Sequence, residues 1–315
     1  MAHPDPGGLA LNPLAIVGVT ATGKSAVALA IARDLGNAEI ISVDSMQVYR
    51  EMDIGTDKPP AAVRAEVPHH LIDVADPSED YSLTRFQDAA RNARHDIAAR
   101  DRLAVFVGGT GLYQRAVIDD LDIPGRFPEV VAALEEESDT VALHRRLSKL
   151  DPVAASRMEP TNRRRVVRAL EVTVGSGRPF SSYGPGLGEY PPCDIAQIGL
   201  SLPRDEIDRR IERRYRRQMD AGFLAEVEAL AARHAPLSRT ASQALGYKEL
   251  LAHLEGKMSL DEALTLAITR TRQFARRQER WFRRDPRIVW LNADDDSESL
   301  ADQVLSLISP QASPG

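Results

Sequence analysis

Eight residues, Gly18-Val19-Thr20-Ala21-Thr22-Gly23-Lys24-Ser25, carry the pattern G-x-x-x-x-G-K-S. Such a loop wraps backbone N–H groups around an anion, and the N-terminus of the helix that follows adds its positive end. Lys24 supplies a full charge and Ser25 a hydroxyl able to hold Mg²⁺. The expected ligand is a diphosphate or polyphosphate held by Gly18, Thr20, Ala21, Thr22, Gly23, Lys24 and Ser25. The pattern does not say whose phosphate it is. Two further stretches could join it. Asp44-Ser45 closes a short apolar run, and Asp44 suits a general base, a Mg²⁺ ligand or a turn cap. Gly108-Gly109-Thr110 closes another, where a nucleotide hydrolase would carry an acidic metal ligand. That substitution counts against ATP hydrolysis.

These residues need strands and helices to bring them together. Leu14 to Val17 reads as a strand before the loop, and Ala26 to Leu35 as a helix after it. Glu39–Val43, His69–Val74 and the continuous apolar run Leu103–Val107 read as further strands, the last of the buried parallel kind. Ser82 can cap a helix running to about Arg100. Strands alternating with helices predict a P-loop-type α/β fold, a parallel sheet flanked by helices. Ligands of such sheets sit at the carboxyl ends of the strands, where Gly18, Asp44 and Thr110 fall. From Leu121 the strands stop. Helical patterns at 129–137, 141–150, 152–158 and 162–174 predict a helical insert over 121–189. Ile195–Ser201 returns to the sheet, Ile288–Leu291 adds a last strand, and the α/β core spans 13–120 and 190–308. Residues 1–12 and 309–315 read as tails. Tyr49 to Pro59 reads as a loop with few core residues.

Composition bounds the rest. The chain has 315 residues, a formal charge of −6 and 43% hydrophobic residues, so it is globular and not basic overall. Its one cysteine, Cys193, excludes an internal disulfide and a cysteine zinc site. There is no apolar run of membrane length and no basic-then-apolar leader pattern, so a cytosolic protein without a membrane contact is expected. The basic charge is local. Arg210, Arg213, Arg214 and Arg217 share one helix face beside Asp205, Glu206, Asp208 and Glu212, which can neutralise them. Arg270, Arg276, Arg277, Arg280 and Arg284 share another with only Glu279 in offset, which points to a polyanion.

Taken in order, the motifs resemble the tRNA dimethylallyltransferase family, the tRNA isopentenyltransferases of bacteria. The resemblance rests on G-x-T-A-x-G-K-S at 18–25, D-S-x-Q-V-Y at 44–49, M-D-I-G-T at 52–56 and P-H-H-L-I-D at 68–73. It continues with G-G-T-G-L-Y at 108–113, R-A-L-E at 168–171, R-I-x-x-R at 210–214, G-Y-K-E at 246–249 and T-R-Q-x-A-R-R-Q-x-x-W-F-R at 271–283. Departures are small: Val19 replaces a usual proline, Asp57 a usual alanine, and no basic residue stands near Val131.

The resemblance implies a prenyltransferase that takes dimethylallyl diphosphate and tRNA as substrates and uses Mg²⁺ on Ser25; a monomer is expected, though the sequence itself does not fix the oligomeric state. The acceptor would be the exocyclic N6 of the adenine 3′ of the anticodon, a base that must leave the stack to be reached. Lys24, Ser25 with Mg²⁺, and Arg214 would hold the diphosphate, Asp44 would take the N6 proton, and Thr110 would donate to the bridging oxygen. RNA contacts are implied at Asp44, Ser45, Met46, Gln47 and Thr110, and in the insert at Arg164, Arg165, Val166, Val167 and Arg168. They are also implied at Gln243, Ala244, Leu245, Gly246, Tyr247 and Lys248, and along Arg276, Arg277, Gln278, Glu279, Arg280, Trp281, Phe282 and Arg283. Gln278 and Trp281 are expected to face the protein, leaving the arginines outward. The competing classes are a P-loop kinase, which would not need the arginine helix, and a GTPase or RNA-binding module, for which no N-K-x-D base-recognition motif exists.

Overall fold

A computed structural model describes residues 12–184 and 186–308. The expected tails therefore lie outside the described residues, apart from residue 12. The chain divides into two compact units, one built from the stretches up to Ile118 and from Pro192, the other from Asp119–Pro191.

The first unit begins with β1 (Leu14–Gly18), α1 (Lys24–Leu35), β2 (Ala38–Ser42), α2 (Ala61–Glu66), β3 (His69–His70), α3 (Leu83–Ala98), β4 (Leu103–Gly108) and α4 (Gly111–Ile118). The second unit holds α5 (Pro128–Glu135), α6 (Thr140–Leu150), α7 (Pro152–Ser156) and α8 (Arg163–Ser176), then a 3₁₀ turn, Phe180–Ser182. The first unit resumes with β5 (Ala196–Ser201), α9 (Arg204–Asp220), α10 (Phe223–Ala231), α11 (Arg239–Ser242), α12 (Tyr247–Leu254), α13 (Leu260–Phe282), β6 (Ile288–Asn292) and α14 (Ser297–Ile308).

Among the described residues the strands form one parallel sheet in the order β3-β2-β4-β1-β5-β6. β1 is central: Leu14 pairs with Val105 on one side and Ala196 on the other. Every residue of β1, β2 and β4 is buried, which is why β1 and β4 read as unbroken apolar runs. Each fully buried Leu, Ile or Val there contributes about 1.5–3 kcal/mol relative to exposure. The one acid inside the three strands, Glu39, is held by His70, Arg100 and Arg102. Burial pushes its carboxyl upward, but those three partners outweigh it and hold the pKa at about 2.

The structure shortens one predicted strand. His69–Val74 pairs only at His69 and His70, because Leu71 and Asp73 take left-handed backbone, φ 64° and 59°. The turn is fixed by the Asp73 carboxylate, which accepts from Lys58 and Arg64, each at 2.6 Å. The stretch 49–59 is also more than a surface loop, since Tyr49 and Met52 are fully buried. The second unit has its own small core of Leu134, Leu143, Leu147, Val166, Ala169 and Leu170. Asp139, Asp151 and Asn162 cap α6, α7 and α8.

Candidate active site

The loop from β1 into α1 is shaped by backbone that only glycine tolerates at its first position. Gly18 has φ 142°, and a Cβ there would stand 2.6 Å from the Leu200 carbonyl oxygen on β5. The next turns are closed by Thr22, buried, whose Oγ1 donates to the Val19 carbonyl at 2.9 Å. Lys24 lies at the N-terminus of α1, and its Nζ donates to the Val19 carbonyl at 2.6 Å. Burial lowers its pKa to about 8; Asp44 acts against that shift and Arg214 adds to it. Arg214, from α9, donates through Nη1 to Thr20 Oγ1 at 2.9 Å, so the helix with the most neutralised arginines sends one into the loop. Its Nε is buried with no partner among the described residues. A buried donor without an acceptor, beside a lysine at a helix N-terminus, suits an anion with several oxygens.

Two more strand ends complete the site. Asp44 Oδ1 accepts from the amides of Met46 and Gln47 at 2.8 and 3.3 Å, which fixes the carboxylate at the mouth of β2. Thr110 Oγ1, after β4, accepts from the Ser45 amide at 3.3 Å. Thr20, Lys24, Ser25, Asp44, Thr110 and Arg214 line one cavity of about 690 Å³, a size that suits a small ligand. Gln243, Ala244, Leu245, Tyr247, Arg277 and Gln278 line it too. Gly18 and Thr22 do not line it, and both shape the loop that does.

The neighbouring wall, 52–57, is braced from a distance. Glu226 of α10 accepts from the amides of Asp53, Ile54 and Gly55 at 3.0, 2.7 and 3.2 Å, and from Tyr247 Oη at 2.6 Å. Gln218 donates to the Ile54 carbonyl at 2.7 Å, and Gln47 to the Thr56 carbonyl at 3.1 Å. No local pattern marks Glu226 or Gln218, whose backbone partners in 53–55 lie more than 160 residues away.

The runs expected to meet RNA are mixed in character. Arg164, Arg165, Gln243, Lys248, Arg276, Arg277, Glu279, Arg280 and Arg283 are exposed. Val166, Ala244, Gly246, Tyr247, Gln278 and Phe282 are buried, which leaves contact to their exposed neighbours. Arg168 is spent within the second unit, where it donates to the Pro124 and Gly125 carbonyls at 2.7 and 3.0 Å and pairs with buried Glu171 at 2.8 Å. Arg283 stacks on the Trp290 ring, 4.0 Å from its centre. Arg270, read from sequence as part of an unneutralised face, is paired: buried Glu249 of α12 accepts from it at 2.5 Å. Gln278 does face inward, as its place on α13 implies.

Comparison with known proteins decides what family this geometry belongs to. A model described as IPP transferase matches residues 47–285, and one described as isopentenyl transferase matches 12–67. A curated "tRNA dimethylallyltransferase" of Kineococcus radiotolerans is 48% identical, covering 94% of this chain and 96% of its own. One of Thermobifida fusca is 46% identical, covering 94% and 93%.

The chain belongs to the tRNA dimethylallyltransferase family.

As a member it is a prenyltransferase. A solved tRNA isopentenylpyrophosphate transferase of Bacillus halodurans matches with 38% identity and a TM-score of 0.70, over 95% of each chain. A eukaryotic dimethylallyltransferase, in crystallographic snapshots of its action on tRNA, matches with 27% identity and a TM-score of 0.77, over 96% of this chain and 82% of that one. The parallel sheet flanked by helices is thus that of the family. No helix among the described residues is long and apolar enough to cross a membrane.

Proposed function

We propose that this enzyme moves a dimethylallyl group from dimethylallyl diphosphate to N6 of the adenine 3′-adjacent to the anticodon of tRNA, releasing diphosphate. The observation that carries the proposal is one cavity with two chemistries. One wall offers Lys24, Arg214 and the loop amides to a leaving anion. The other offers a carboxylate, Asp44, and a hydroxyl, Thr110, and no second acid at the end of β4 where a nucleotide hydrolase would need one.

The steps follow from charge. The amino group of adenine is a weak nucleophile because its lone pair is shared with the ring. The allylic carbon can carry positive charge as its bond to oxygen lengthens. Negative charge then grows on the diphosphate, where Lys24 and Arg214 already stand. Thr110 Oγ1 accepts from Ser45 in this structure, so its own proton is available for the bridging oxygen. Asp44 takes the N6 proton late in the step; its Oδ1 is occupied by two amides and Oδ2 remains for the substrate.

The donor set fits Mg²⁺ only with the diphosphate in place. No cluster of three or more His, Cys, Asp or Glu able to hold a metal exists among the described residues, and Ser25 offers one exposed hydroxyl in the cavity. The remaining ligands would be phosphate oxygens and water. Bound there, the ion would offset charge on the departing diphosphate.

The exposed arginines of α13, with Arg164 and Arg165 of α8, supply phosphate contacts for the RNA. In the proposed reading the second unit meets the anticodon stem-loop, and the enzyme acts as a monomer in the cytosol. The test uses two tRNAs that differ only in the base 3′ of the anticodon. Label from dimethylallyl diphosphate should enter the adenine form and not the guanine form. Equal labelling of both would overturn the assignment of the acceptor.

A further inference from the structure

One side chain joins the arginine-bearing helix to both loops of the site. Gln278 of α13 is buried. Its Oε1 accepts from the Thr20 amide at 2.9 Å, and its Nε2 donates to the Gly109 carbonyl at 2.7 Å. Thr20 belongs to the diphosphate loop, and Gly109 directly precedes Thr110. Thr110 in turn accepts from Ser45, the neighbour of Asp44. Gly109 makes room for this link, since a Cβ there would lie 2.4 Å from Gln278 Nε2. One turn further along α13 the fit repeats, because a Cβ on Gly111 would lie 2.2 Å from the Trp281 ring. Arg276, Arg277 and Arg280 sit exposed on the same two turns.

We propose that Gln278 is a positioning residue for prenyl transfer, holding the anion loop and the Thr110 turn at a fixed separation and tying both to the helix on which RNA docks. The proposal rests on the functional reading above. Its physical basis is the demand at each end. Thr20 offers a donor and Gly109 an acceptor, and a neutral amide of this length satisfies both. Methionine keeps the length but leaves the buried Gly109 carbonyl and the half-buried Thr20 amide without this partner. The loops can then separate, and small displacements between reacting groups are costly in rate. Neither bond reaches RNA, so the affinity for tRNA is insulated from the change.

The test compares Gln278→Met with the wild type. At saturating tRNA and donor, the single-turnover rate of the variant should fall about 10–100-fold, the scale of one or two buried hydrogen bonds lost at the site. Its affinity for inorganic pyrophosphate, measured without RNA, should weaken about 3–10-fold for the same reason. The Kd for tRNA should stay within about twofold of wild type, since no phosphate contact is removed. Gln278→Asn, too short to span both partners, should show the same split and serves if the methionine variant does not fold. Weakened tRNA binding with an unchanged rate would make Gln278 an RNA contact and overturn the proposal. So would a lowered melting temperature with a wild-type rate per folded molecule and wild-type pyrophosphate affinity. Failure of the wild type to label tRNA would overturn the functional reading instead, and the pyrophosphate affinities would still judge the bridge.

Discussion

At Lys24 burial and charge pull in opposite directions. Burial lowers the ammonium pKa from 10.5 to about 8, and the attraction of Asp44 only partly restores it. The free site is therefore charged below pH 8 and loses that charge above it. A bound diphosphate raises the pKa again, so binding must take up a proton once the pH exceeds the free value. Affinity for dimethylallyl diphosphate should then fall as pH rises through about 8, by close to tenfold per pH unit. Lys24→Met should bind weakly with no such slope. Titrations at several pH values check this, and a flat wild-type profile would remove the ammonium from the binding step. Asp44 is tested separately. Asp44→Asn keeps the acceptor oxygen for Met46 and Gln47 but loses basicity. Its single-turnover rate at saturating tRNA should drop roughly 10²–10⁴-fold, the scale of general acid–base catalysis. A near wild-type rate would assign the proton to another group. Both residues were legible in the sequence because each closes a local strand–loop pattern. Gln278 could be placed on the inner face of α13 from its spacing, but its task could not, because Thr20 lies 258 residues away.

The elements divide their work along helix faces. α13 turns Ala263, Ala267, Thr271, Ala275, Gln278 and Phe282 inward, mostly small residues that let the helix sit close. Arg276 and Arg280 are left on the outside. Surface arginines that merely face water contribute little. Arginines that hold phosphates displace counterions, and each lost contact should flatten the slope of log K against log salt by about 0.7–0.9. Arg276→Ala/Arg280→Ala should therefore bind tRNA more weakly, most visibly at low salt, and with a shallower slope. Donor affinity should be unchanged. A wild-type slope would place the RNA on another surface. Arg270 was misjudged from sequence because its neutralising acid, Glu249, comes from α12 and not from its own helix. The same reason hides Glu226, which gathers three backbone amides and a tyrosine hydroxyl. Glu226→Ala leaves those donors unpaired and should cost about 2–4 kcal/mol of stability in urea unfolding. A loss below about 1 kcal/mol, the net worth of a typical hydrogen bond, would show that water replaces the carboxylate.

Across the whole molecule, the architecture was readable where order along the chain is order in space. The alternation of strands and helices gave the parallel sheet, and the loss of strands after Leu121 gave the helical stretch. Readability failed where tertiary contacts override local preference. The β3 run stops after two residues because Lys58 and Arg64 hold Asp73 in a left-handed turn. The central claim is that a loop of nucleotide-binding pattern serves transfer from an allylic diphosphate to tRNA. The most direct measurement follows both products in one turnover with labelled dimethylallyl diphosphate, full-length tRNA and ATP present. The account predicts one dimethylallyl group on tRNA for each diphosphate released, no ATP consumed, and neither product with Lys24→Ala. ATP hydrolysis that depends on tRNA, with no label reaching the RNA, would contradict it.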